Sequence, residues 1–222
     1  MNNLTILFED EHIIVCEKPA GVPVQTKSFG VKDMESLLRN HLASTGQKPF
    51  VGVIHRLDQP VSGVLVFAKT PQIAAKLNNQ MQANGFQKYY QAVVCGTLPA
   101  ESGTLRDYLV KDGRTNTSRI CTKQTAGAKS SHLDYRVLKV SSDCAYSVVQ
   151  VKLGTGRHHQ IRVQMAGQNA PLWGDNKYNP AFTQKGGYSP IALRAYRLDF
   201  THPVSGKQLS FELSCDWSHI FE

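Results

Sequence analysis

Short apolar runs, broken by glycine, proline and small polar residues, dominate the pattern of this chain, so most of the elements it predicts are strands. Leu4 to Phe8 and Ile13 to Cys16 read as two strands, followed by a loop over KPAGVPV, Lys18 to Val24. Met34 to Ala43 carries apolar residues at helical spacing, with Asp33 as its N-cap. Val64 to Ala68 is an apolar run suited to a buried strand. Thr70 and Pro71 then start a helix, a capping hydroxyl before a first-turn proline, and Gly85 is placed to end it. Tyr89 to Cys95 reads as a strand closed by Gly96. The stretch from Glu101 to Ser131 is polar and rich in Thr, Gly and Lys, which predicts exposed turns or a small excursion. Leu133 to Val140 and Tyr146 to Leu153 alternate well enough to pair as antiparallel strands. Arg157 to Ala166 is predicted as a helix after Gly154-Thr155-Gly156, with Gly167 as its C-cap. Two strands, near Leu193 to Phe200 and Gln208 to Leu213, complete the chain. Strands outnumber helices and do not alternate strictly with them. The expected class is α+β, with a mixed, largely antiparallel central sheet and flanking helices.

Composition narrows the partners. With 222 residues and 41% hydrophobic content, the chain can bury a sizeable core as one large domain or two small lobes. A net charge of +8 favours a polyanion. Five cysteines, far apart and odd in number, argue against zinc spacing and a closed disulfide framework, and point to reduced thiols in a cytoplasmic protein. The first residues lack the basic head and long apolar run of a signal peptide, and no stretch reaches membrane-spanning length.

Three clusters hold candidate chemistry. In HRLDQPVSG, His55 to Gly63, Asp58 should lie on a loop leading into the Val64 strand. Loops set by a rigid sheet often carry chemistry, and a turn aspartate bonding its own backbone is the competing reading. In LGTGRHHQIRVQMAG, Leu153 to Gly167, a helix from Arg157 would put His158 and Arg162 on one face. A buried arginine there needs an anionic partner, either a site carboxylate or a structural one. The adjacent His158 and His159 lack metal-ligand spacing, and the glycines lack the P-loop lysine. In KYYQAVVCG, Lys88 to Gly96, Tyr89 and Tyr90 point to opposite faces of a strand, so one belongs to the core and the other is free to stack on a base. Ser62 sits in PVSGV rather than GxSxG, which excludes a nucleophile elbow. Arg39, Arg56, Lys69, Lys76, Arg157 and Lys177 are candidates for phosphate contacts.

Taken in order, FEDEHIIVCEKPAGVPV, HRLDQPVSGVLVFAKT, KYYQAVVCG, GAKSSHLDYRVL, LGTGRHHQIRVQMA, PLWGDNKY and ALRAYRLDFTHP resemble the RluA-type pseudouridine synthase family along almost the whole chain. Val61, Gln164 and Arg194 depart from residues common in that family, threonine at the first position and histidine at the other two. The resemblance implies one catalytic domain over residues 1–222, without a separate N-terminal RNA-binding domain. It also implies two lobes flanking a catalytic cleft, and a reaction that needs no metal, nucleotide or other cofactor. Its expected substrate is uridine in structured RNA, ribosomal or transfer. By carry-over, Asp58 is the catalytic aspartate, Tyr90 stacks on the target base and Arg162 pairs with Asp58. Arg56 contacts the RNA, and Leu193 lines the pocket. A non-catalytic RNA-binding or ribosome-assembly protein on the same fold is the alternative. The basic surface favours a monomer.

Overall fold

The computed structural model describes residues 4–28, 30–183 and 190–221. These divide into two compact units. The first runs up to Gln87 and resumes over Ala195–Ser214; the second is Lys88–Arg194 and the segment from Cys215 on.

The first unit opens with β1 (Thr5–Glu9) and β2 (Ile13–Lys18), an antiparallel hairpin in which Cys16 faces Ile6. Helix α1 (Met34–Ser44) starts where predicted: Asp33 accepts the Ser36 N–H while the Ser36 hydroxyl accepts the Asp33 N–H, a reciprocal cap. A two-residue strand, β3 (Gly52–Val53), precedes β4 (Ser62–Ala68), and both β2 and β3 pair with β4. Helix α2 (Pro71–Gln82) is capped by Thr70, whose hydroxyl accepts the Ile73 N–H at 3.3 Å. It ends before Gly85, because Asn84 takes the left-handed turn, φ +58°.

The second unit contributes β5 (Gln87–Cys95), β6 (Ser102–Asp112), β7 (Thr117–Cys121), β8 (Lys129–Val140) and β9 (Tyr146–Leu153), in the order β5-β9-β8-β6-β7. The predicted β8–β9 pair is present, with Leu133 opposite Leu153. The expected turns of residues 101–131 are instead mostly β6, β7 and the start of β8. Their pattern was hidden because Asp107 shares the inward face of β6 with Leu105 and Leu109. There it accepts a hydrogen bond from Gln164 at 2.6 Å. Helix α3 (Gln160–Gly167) and the short α4 (Pro180–Thr183) follow.

The chain re-enters the first unit along β10 (Leu193–Thr201), with β11 (Gln208–Glu212) antiparallel to it. The strand order there is β1-β2-β4-β10. Ile13, Val15, Val64, Val66, Ile73, Leu77, Leu198 and Phe200 form the first unit's core, where Phe86 stacks on Phe200 at 5.2 Å. A smaller core in the second unit joins Val93, Val148, Ala192 and Ile220 to the rings of Trp173, Trp217 and Phe221. The fold is α+β, and every strand pair whose register is described is antiparallel. No described helix is long and apolar enough to cross a membrane.

Candidate active site

Asp58 lies on an irregular segment between β3 and β4, as the Pro and Gly spacing around it required. Ile54, part of the first unit's core, pins this segment, and Leu57 is buried as well. The Asp58 carbonyl accepts the Val61 N–H at 3.0 Å and closes a turn over Gln59-Pro60. At the far side of the turn, Gly63 has φ +142°, and a Cβ there would stand 2.3 Å from the Ala195 carbonyl oxygen. Only glycine lets β4 approach β10 so closely, which explains the Ser-Gly pair after the turn. Asp58 is half-buried and Arg56 is exposed.

A residue absent from the sequence-based candidates holds the turn from beneath. Lys18, at the end of β2, is fully buried and donates to the carbonyl oxygens of Val22 at 2.7 Å, Gln59 at 2.9 Å and Pro19 at 3.0 Å. Gly21 also donates to the Gln59 carbonyl at 2.9 Å, so the KPAGV loop and the Asp58 turn are laced together. Burial pushes the Lys18 ammonium down to about 8, and the nearby Asp58 carboxylate opposes that fall. Lys18→Met keeps the volume of the stem but removes these donors. We expect a loss of about 1–3 kcal/mol, the cost of leaving buried acceptors unsatisfied, with removal of a buried charge offsetting part of it. Urea unfolding measures this; an unchanged midpoint would show that the carbonyls do not depend on Lys18.

In the second unit, Tyr90 sits on the inward face of β5 opposite Val151 and is 7% exposed, while Tyr89 points outward under the Lys152 ammonium, 5.9 Å from its ring centre. Tyr90 is thus the more buried of the two, and it shares its strand face with Ala92. Leu193, buried at the start of β10, follows Ala192, whose carbonyl accepts the Val93 N–H of β5 at 3.0 Å.

Helix α3 begins at Gln160, three residues later than its pattern predicted, because His159 adopts left-handed backbone, φ +54°. His158 thus precedes the helix and does not share a helical face with Arg162. Instead its ring stacks on His159 at 3.7 Å. The helix has no simple apolar stripe: Gln160 to Met165 are all buried. Gln160 secures the glycine loop. Its Oε1 accepts from the Thr155 hydroxyl at 2.7 Å and the Arg157 N–H at 3.0 Å, and its Nε2 donates to the His132 carbonyl at 3.0 Å.

Arg162 has the anionic partner that its burial demands. Its Nε and Nη2 donate to Asp175 Oδ2 at 2.8 Å and Oδ1 at 2.6 Å, a fork in which both side chains are almost wholly buried. Asp175 was inside the quoted PLWGDNKY segment but carried no assigned role. Asp58 belongs to the first unit and Arg162 to the second, so the partner of Arg162 within its own unit is Asp175. Of the phosphate candidates, Lys69 is engaged with Glu9 at 2.9 Å and Arg39 with Glu35, whereas Arg56 and Lys76 are exposed.

Comparison with known proteins finds relatives along most of the chain. The family model for RNA pseudouridylate synthase matches residues 12–167, a span that contains Arg56, Asp58, Tyr90 and Arg162. Ribosomal large subunit pseudouridine synthase D of Neisseria meningitidis is 36% identical over 94% of this chain and 57% of its own length. An uncharacterized RNA pseudouridine synthase of Bacillus subtilis is 31% identical over 94% of this chain and 68% of its own. The chain thus spans little more than half of the Neisseria protein. The structure of human RNA Pseudouridylate Synthase Domain Containing 4 superposes with a TM-score of 0.79 at 21% identity, covering 98% of this chain and 90% of that one.

Proposed function

Because this chain belongs to the RNA pseudouridylate synthase family, we propose that it isomerises uridine to pseudouridine in structured RNA, with Asp58 as the catalytic carboxylate. The match over residues 12–167, which takes in Arg56, Asp58, Tyr90 and Arg162, carries this reading. The net charge of +8 suits a polyanionic substrate. Ribosomal RNA is the first substrate to test, since the Neisseria relative is named for the large ribosomal subunit.

The reaction breaks the bond between the sugar and N1 of uracil, rejoins the sugar to C5, and releases the C5 proton. The Asp58 carboxylate serves either as a nucleophile at the anomeric carbon or as a base at the adjacent sugar carbon; both roles need it ionised. The uracil must leave its stack, at a cost of roughly a few kcal/mol. Stacking on the Tyr90 ring would return about 1–3 kcal/mol of that. In this reading Arg162, held by Asp175, binds the substrate, Arg56 contacts the RNA beside the vacated base position, and Leu193 forms part of the apolar wall.

Since C5 loses its hydrogen, purified protein should release tritium from ribosomal or transfer RNA transcribed with [5-³H]uridine. Release should plateau at one or a few uridines per molecule. Tight RNA binding with no release would reject catalysis and favour an RNA-binding or assembly role on this fold.

A further inference from the structure

Tyr178 follows Asp175 in the turn before α4 and is held at several points. Its N–H donates to Asp175 Oδ1 at 3.2 Å. Its phenol oxygen accepts the Ser118 N–H at 2.7 Å and lies 2.8 Å from His159 Nδ1. The Arg162 guanidinium rests over its ring, 5.2 Å from the centre. We propose that Tyr178 is a positioning residue for Arg162, its hydroxyl tying β7 and His159 to the ring that supports the guanidinium. This rests on the reading that Arg162 binds the substrate.

The geometry divides the work between two groups. The fork to Asp175 fixes one edge of the guanidinium but leaves its tilt about that line to be set from another side. An aromatic face supplies that restraint by attracting the cation to its electron-rich surface. The ring can act this way only if it is itself held. Strand β7 ends the strand order, so an N–H pointing away from β6 needs a partner, and the Tyr178 oxygen provides one for Ser118. A backbone N–H only donates, so the phenol proton is available to His159 Nδ1. That bond requires a neutral imidazole. Burial, followed by the charge of Arg162 and then by His158, Lys177 and Lys111, pushes His159 down to about 2, so the ring stays neutral at any working pH and is able to accept at Nδ1.

The same contacts reach the tip of the β6–β7 hairpin. His158 bonds the Ser118 hydroxyl at 2.8 Å through Nδ1 and Asn116 Oδ1 at 3.1 Å through Nε2. Lys177 Nζ donates to the Asn116 carbonyl at 2.7 Å. Displacement of the hairpin would therefore be felt at the Tyr178 ring.

Tyr178→Phe tests the role, because it keeps the ring and removes only the hydroxyl. The expected result is a fall in kcat of about tenfold, in the range small misplacements produce, with KM for RNA within about twofold. A purely structural role would lower Tm without this split. The Nε–H signal of Arg162 in ¹⁵N spectra should move in the same variant. Should Tyr178→Phe fail to fold, His159→Gly replaces it: glycine is at ease at φ +54° and removes the proton acceptor, so the same fall in kcat and the same shift are expected. Unchanged kcat in the tested variant, with Arg162→Met impaired, would overturn the proposal. So would a lowered kcat with the Arg162 signal unmoved. Full activity in Arg162→Met would remove instead the reading of Arg162 beneath it.

Discussion

Asp58→Asn is expected to abolish pseudouridine formation, lowering turnover by about 10³-fold or more, the scale seen when an essential catalytic group is removed from an enzyme. Asparagine has the same shape and loses the charge, so it can neither attack the sugar nor accept its proton. The folding cost should be small. Asp58 is half-buried on an irregular segment, and the packing there belongs to Ile54 and Leu57, while the turn is closed by backbone and by Lys18. Affinity for RNA should stay within about threefold, since phosphate contacts and base stacking do not pass through this carboxylate. Tritium release, thermal melting and filter binding on one preparation separate the three quantities. Turnover above a tenth of the unmodified protein's would refute the assignment.

The second large effect concerns stability. Asp175→Ala should destabilise the protein by about 3–5 kcal/mol, because it strands a buried guanidinium without its carboxylate. Arginine has no neutral form to retreat to at accessible pH. The side chain of Arg162 is 3% exposed and that of Asp175 is 0% exposed, so water cannot replace the lost fork without opening the second unit. Asp175 Oδ1 also accepts the Lys177 and Tyr178 N–H groups, which lose their acceptor at the same time. Against a total stability of about 5–15 kcal/mol, such a loss is large. Denaturant unfolding at 25 °C measures it, and a cost below about 1 kcal/mol would show that the pair is not buried in solution. Asp175→Asn should fall between: it keeps an acceptor for the backbone but not the charge.

Much of the frame follows from local rules that operate within a few residues. The Asp33 and Thr70 caps, the β8–β9 pairing, the left-handed Gly96 and the loop bearing Asp58 were legible because capping, alternation and turn chemistry are written in adjacent positions. The ordered motifs also carried the family resemblance, which the match over residues 12–167 bears out. What stayed hidden were polar groups whose partners lie far along the chain. Asp107 broke the alternation of β6 because its partner is Gln164. Lys18 stood only as the first residue of a loop, and only the fold brings Val22 and Gln59 carbonyls around it. The start of α3 depended on His159 turning left-handed, where its ring reaches Tyr178. The burial of Arg162 was readable from its apolar neighbours, but not that Asp175 forks it. A sequence states which charges exist; only the tertiary structure removes water from around them, and that removal decides which pairs must form.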